Sequence, residues 1–234
     1  MSRNRLEGAF ARVLRAGEHI KDLRERIRTF SESEHETIIR NLQAGTVDER
    51  RGPLVKEPPV IISILLGEVI YNLRAALDYL IYALAWIDSG SPQKGTQFPI
   101  MDNSREFKSH TPQYLKGLNN RHITEIEQMQ PYNENDWTKI IRDLSNPDKH
   151  RHLHAVMGQP FGFAGLWGTD LTSSTQSETI NNQGNVYDSI HPDVTLDDGT
   201  PIVSTLKQLQ EEVYRTLQVF CLGLKTDHCP CEKQ

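Results

Sequence analysis

Cysteine is scarce in this chain of 234 residues: Cys221, Cys229 and Cys231 are the only three. An odd count without framework spacing argues against a small secreted fold held by disulfides and fits a reducing, cytoplasmic setting. Cys229-Pro230-Cys231 follows His228 directly, in a spacing that matches no standard zinc site. It is read as part of a frayed tail over 226–234. An apolar leader is missing too, because charges begin at Arg3, so no signal peptide is expected. No long apolar run is free of charge: the most apolar stretch, Val60 to Ile87, is interrupted by Glu68, Arg74 and Asp78. That pattern describes a core helix and argues against a membrane span. Glycine-rich fingerprints are absent as well, with no Gly-x-Ser-x-Gly, P-loop or dinucleotide motif. No cofactor is expected on that basis.

Positive charge is in deficit, with 26 Lys and Arg against 31 Asp and Glu and a formal net charge of −5. The balance gives no general case for nucleic-acid binding. The deficit is uneven. Residues 1–30 hold eight basic side chains (Arg3, Arg5, Arg12, Arg15, Lys21, Arg24, Arg26, Arg28) against four acidic ones (Glu7, Glu18, Asp22, Glu25). That segment reads either as a solvated helix surface or as a local basic face.

What is present is helical periodicity. With 37% hydrophobic and 24% charged residues the composition is that of a soluble globular protein, long enough for one well-buried core. Leu6, Phe10, Val13, Leu14, Ile20, Leu23, Ile27 and Phe30 recur at three- and four-residue steps and predict an amphipathic helix over 3–31. Between 35 and 60 the period fails. Thr37-Ile38-Ile39 and Leu54-Val55 flank the polar Asp48-Glu49-Arg50-Arg51-Gly52 and predict a small hairpin ending at Pro58-Pro59. A second long helix is predicted over Ile61 to Trp86, with Ile62, Leu66, Val69, Leu73, Leu77, Leu80 and Leu84 as its stripe. Tyr71, Arg74, Ala75, Asp78 and Tyr82 fall on the opposite side, and Asn72 and Tyr79 share a flank of their own.

Shorter helices are predicted near 103–110, 120–130 and 135–145, with Asn120 and Asn135 as N-caps of the latter two. Asn146-Pro147 reads as an N-cap followed by proline at the first helical position, restarting a helix toward Met157. From Gly158 to Asp198 short apolar pairs among Gly, Thr, Ser and Asn predict strands and loops. Asp198-Gly199-Thr200-Pro201 makes a turn into a last helix with the stripe Ile202, Leu206, Leu209, Val213, Leu217, Phe220 and Leu224. The expected architecture is mainly α: one helical-core domain over 1–225, with a β-hairpin insertion at 35–60 and a β/loop insertion at 158–200.

Two segments speak about chemistry. In the first, Arg74 and Asp78 stand four apart, so an intrahelical ion pair is available. They read as a structural pair, or, with Asn72, as a groove that takes a phosphate or carboxylate. In the second, the expected helix start at Asn146 would offer free N–H groups to an anion, with Asp148 favoured by the dipole and Lys149 and Arg151 adding positive charge. His150 is the natural proton shuttle at neutral pH. The plain alternative is a capped helix start whose charges are solvated. His150 and His154 share a helical face, but the glutamate of zinc hydrolases is missing and no third ligand is evident, so no metal is expected.

The string Gly67-Glu68-Val69-Ile70-Tyr71-Asn72-Leu73-Arg74-Ala75-Ala76-Leu77-Asp78-Tyr79, then Phe98-Pro99-Ile100, then Leu144-Ser145-Asn146-Pro147-Asp148-Lys149-His150-Arg151, resembles a widespread family of uncharacterised bacterial proteins. More distantly, the helical layout resembles the HEPN superfamily of helical bundles, which often dimerise and include RNA-cleaving toxins and phage-defence effectors. The resemblance implies RNA or a nucleotide as partner, a homodimer, no membrane, and metal-independent ribonuclease chemistry. Those ribonucleases pair an arginine with a histidine four to six residues later. Arg74 would supply the arginine, but Tyr79 stands where relatives tend to have histidine. A phenol with a pKa of about 10 is a poor base at neutral pH. Under this reading His150, with Arg74 and Asp78, would carry catalysis, and Asn72, Asn146, Asp148, Lys149 and Arg151 would hold the ligand. The other reading is a non-catalytic interaction protein whose polar motifs bolt helices together.

Overall fold

The computed structural model of the chain describes residues 5–45, 56–150, 155–157 and 194–224. Among these residues the elements are α1 (Glu7–Gln43), α2 (Val60–Ser89), α3 (Ser104–Tyr114), α4 (Asn120–Gln128), α5 (Asp136–His150), β1 (Ala155–Met157), β2 (Val194–Leu196) and α6 (Ile202–Gly223). A single 3-10 turn, Pro131–Asn133, stands between α4 and α5. The protein is thus mainly α with one small antiparallel strand pair, the expected class. Its described residues fall into two compact units, drawn from Met1–Asp22, Ile64–Leu153 and Val203–Gln234 for the first, and from Leu23–Ser63 and His154–Ile202 for the second.

In the first unit α2 is the central element. It is long and apolar enough to cross a bilayer by length and composition. Its apolar stripe is nevertheless used inside the protein: Leu66, Val69, Leu73, Leu77, Leu80 and Leu84 are all buried. The start of α1 runs antiparallel to α2, since Arg5 meets Trp86, Arg12 meets Asn72 and His19 meets Glu68. Helix α6 also runs antiparallel to α1. Phe10 sets its ring edge against Tyr214 at 5.6 Å, and the Gln210 amide donates to the Val13 carbonyl at 3.3 Å. Leu206, Leu209, Val213, Leu217 and Phe220 are buried along α6, as the stripe predicts. Cys221 is buried in the last turn of that helix and is disulfide-bonded, a covalent tie that the odd cysteine count does not suggest.

In the second unit the rest of α1 buries Leu23, Ile27 and Ile38. Strands β1 and β2 pair antiparallel, with Ala155 opposite Leu196 and Met157 opposite Val194. The turn after β2 forms where Asp198-Gly199 predicts it. Gly199 takes φ +84°, its N–H donates to the Leu196 carbonyl at 2.9 Å, and the Asp198 carboxylate accepts the Thr200 N–H at 2.9 Å. A positive φ of that size suits glycine above other residues.

Three local expectations are corrected. Helix α1 continues to Gln43, so Thr37-Ile38-Ile39 is helical and supplies no strand to a hairpin. Leu54-Val55 and the polar segment 48–52 lie outside the described residues. Helix α5 runs unbroken through Asn146 and Pro147 to His150, and the chain is a strand by Ala155, so no helix restarts toward Met157. The N-cap of α4 is Asn119, one residue earlier than expected, whose side-chain oxygen accepts the His122 N–H at 2.9 Å. Asn135 does precede α5, with its side-chain amide donating to the carbonyls of Gln128 and Asn133. Phe161, Phe163, Val186 and Tyr187, together with the tail from 226, lie outside the described residues.

Candidate functional site

Helix α2 turns two polar flanks outward, and both lie in the first unit. On one flank Arg74 and Asp78 close on a single residue. The Arg74 guanidinium donates to the Phe98 carbonyl at 2.6 Å, and the Phe98 N–H donates to the Asp78 carboxylate at 2.9 Å. The two side chains are themselves 3.3 Å apart, four residues along one helix. Phe98 is fully buried, so both of its backbone polar groups need partners, and the helix provides them. Gln130, also fully buried, continues the pattern. Its amide donates to the carbonyls of Pro99 and Ile126 at 3.0 Å, and its oxygen accepts the Met101 N–H at 2.9 Å. Four backbone groups of the segment 98–101 are therefore partnered by side chains in place of a neighbouring strand. The motif around Arg74 and the Phe98-Pro99-Ile100 motif are in direct contact.

The other flank stays open. Asn72 is buried, its amide donating to the Glu68 carbonyl at 2.8 Å and its oxygen accepting from Arg12 at 3.1 Å. Arg12 also donates to the Tyr79 hydroxyl at 3.4 Å and lies over two rings, 5.7 Å from the Tyr71 centroid and 5.4 Å from that of Tyr79. The Tyr79 hydrogen bond holds the Arg12 pKa above its ordinary value against partial desolvation, so the cation persists at every accessible pH. Two turns away the arrangement repeats, with Arg5 3.7 Å above the Trp86 ring and Tyr82 edge-on to Trp86 at 6.0 Å. Tyr71, Tyr79 and Tyr82 are 59%, 43% and 40% exposed. Gly8 lets α1 come this close: a Cβ there would stand 3.3 Å from the Tyr79 ring.

Such a face combines fixed cations with accessible aromatic rings. Chemically it can attract an anion and stack a planar group. The sequence carries both halves of the signal, Arg5, Arg12, Arg15 and His19 on one side of α1 and Tyr71, Tyr79, Tyr82 and Trp86 on one side of α2. Their meeting depends on the antiparallel packing of the two helices.

The second predicted constellation has a different setting from the one expected. Asn146 is exposed on α5, and Asp148, Lys149 and His150 fall in the last turn of that helix. The free backbone groups there are carbonyls and the dipole end is negative, so no anion site of the helix-N-terminal kind exists at Asn146. The side chains of Asp148, Lys149 and His150, and all of Arg151, lie outside the described residues. Among the sequence-predicted residues, the structure brings Arg74 and Asp78 together and gives Asn72 to Arg12.

One buried polar cluster escapes sequence reasoning altogether. His122 Nδ1 lies 2.7 Å from the Asp88 carboxylate, which also accepts the Asn119 N–H at 2.9 Å, and the imidazole ring packs edge-on against Phe220. Both side chains are 7% exposed, and the cluster ties α2, α4 and α6 together. Among the described residues no group of three or more His, Cys, Asp or Glu converges as metal ligands would. Compared with protein-family models, curated proteins and solved structures, the chain matches none of the three.

Proposed function

We propose that this is a HEPN-like helical protein that binds RNA or a nucleotide, with the open α1/α2 flank as its contact face. The observation that carries this reading is the Arg12 guanidinium lying over the rings of the exposed Tyr71 and Tyr79. Phosphate attraction by arginine and stacking on tyrosine are the two sequence-tolerant means by which proteins hold RNA. Arg74 and Asp78 are assigned to holding Phe98. Any cleavage therefore rests on His150 as the group that moves a proton.

The test is binding and cleavage of labelled single-stranded RNA and tRNA in metal-free, low-salt buffer, by the native protein, Arg12→Ala and His150→Ala. The expected result is RNA binding that weakens with salt and drops in Arg12→Ala. Cleavage lost in His150→Ala identifies a ribonuclease, and binding without cleavage identifies a binding protein. A second reading, a non-catalytic interaction protein whose polar motifs bolt elements together, is favoured by the Arg74–Asp78 grip on Phe98. It gains the ground if neither RNA is bound at all.

A further inference from the structure

The same face supports a narrower statement, which rests on the RNA- or nucleotide-binding reading. We infer that its ligand is an unpaired nucleic-acid strand, whose bases stack on Tyr71 and Tyr82 while Arg12 draws its phosphates. The argument begins with which ring surfaces are free. Arg12 lies over Tyr71, yet that residue is 59% exposed, so a base can stack on its ring to give an arginine–tyrosine–base sandwich. Tyr82 is 40% exposed and braced by Trp86, which is itself covered by Arg5.

Tyr71 and Tyr82 stand eleven residues apart on one helix, which is three turns or about 16 Å. A mononucleotide reaches only one of them, whereas a short strand reaches both. A duplex offers neither ring a base, because its bases are stacked on one another and face inward. A second copy of this chain is disfavoured by charge. Its own Arg5 and Arg12 would add like charge to a two-fold contact, and like charges across an interface are costly. An anionic strand with accessible bases complements both the charge and the rings. Because stacking tolerates any base, little sequence preference is expected.

The experiment is fluorescence anisotropy of the full chain with four probes: a short unstructured RNA, the DNA of the same sequence, the RNA as a blunt duplex, and AMP as competitor. The protein variants are Tyr71→Ala, Tyr71→Phe and Tyr71→Ala/Tyr82→Ala, with circular dichroism to confirm folding. The single strand is expected to bind at least about tenfold tighter than the duplex, with Tyr71→Ala costing about 5- to 100-fold, the size of one lost base stack. Tyr71→Phe, which keeps the ring, retains the affinity, and the double variant loses more. Equal binding of RNA and DNA supports stacking without use of the 2′-hydroxyl, and preference for RNA supports stacking with it. If duplex and single strand bind alike and Tyr71→Ala changes nothing, the face reads phosphates alone: the inference is overturned while the RNA-binding reading stands. If none of the nucleic acids binds and Tyr71→Ala alters the sedimentation of the protein, both are overturned and the face belongs to a protein interface.

Discussion

Arg74 projects from α2 and Arg12 lies against it, and each makes a side-chain hydrogen bond to α2 or to a residue it holds, yet their surroundings are opposite. Arg74 is 17% exposed and donates to the main-chain carbonyl of the fully buried Phe98. Arg12 spends its guanidinium on an amide oxygen at 3.1 Å, a phenol at 3.4 Å and two ring faces that solvent still reaches. Removing the first strands a buried backbone group. Removing the second leaves exposed tyrosine rings and one side-chain amide oxygen, that of Asn72, without its guanidinium partner. A polar motif on a helix is therefore assigned by what it completes: Arg74 and Asp78 complete a backbone, and Arg12 with Tyr71 and Tyr79 prepares a surface.

The largest expected effect lies at the residue the closed flank exists to hold. Phe98→Ala removes a fully buried ring and leaves a cavity, for an expected loss of about 3–5 kcal/mol by urea unfolding. Next comes Asp78→Ala, which leaves the Phe98 N–H without its acceptor. The expected loss is about 2 kcal/mol, the cost of a buried donor left unsatisfied. Asp78→Asn sharpens the point, because it keeps an acceptor oxygen while removing the charge. It should recover most of that loss if the hydrogen bond to Phe98, and not the ion pair with Arg74, is what matters. A urea midpoint for Asp78→Ala equal to that of the native protein would erase the distinction between the flanks.

How much of this was legible differs by element. The α2 stripe is legible because Leu66, Val69, Leu73, Leu77, Leu80 and Leu84 are apolar without a break at helical spacing. The far half of α1 is not. Ile27, Ser31, Glu34 and Ile38 keep helical spacing, but the two in the middle are polar, so the hydrophobic period is lost to view after Phe30. Glu34 is only 2% exposed, satisfied by the Lys56 N–H at 3.3 Å and the Lys56 ammonium at 3.1 Å. No local rule announces a buried glutamate whose partner lies 22 residues on. Asn146-Pro147 misleads for the converse reason: the pair has helix-start chemistry, but the helix already under way continues through it. Proline late in a helix costs one hydrogen bond, as at Pro112 in α3, and the chain need not break there. The Arg74–Asp78 pair is legible as an ion pair by its four-residue spacing. Its grip on Phe98 is not, since spacing says nothing of a loop twenty residues away. The open flank was half legible, as a basic first helix and as tyrosines on the second.

The smallest stability effect, and the sharpest contrast in function, is expected at Arg12. Arg12→Ala should cost no more than about 1 kcal/mol, the worth of a partly exposed hydrogen bond and an exposed cation–ring contact. If Arg12 touches a phosphate, the same variant should lower the slope of log affinity against log salt by about one contact. Arg12→Lys separates charge from shape. Lysine restores the charge and with it the salt slope, but a single ammonium cannot reach Asn72 and Tyr79 together while lying flat on a ring. Its affinity should therefore stay below native at every salt concentration. An Arg12→Ala protein that unfolds as readily as Phe98→Ala would make Arg12 another bolt, and the two flanks of α2 would then be of one kind.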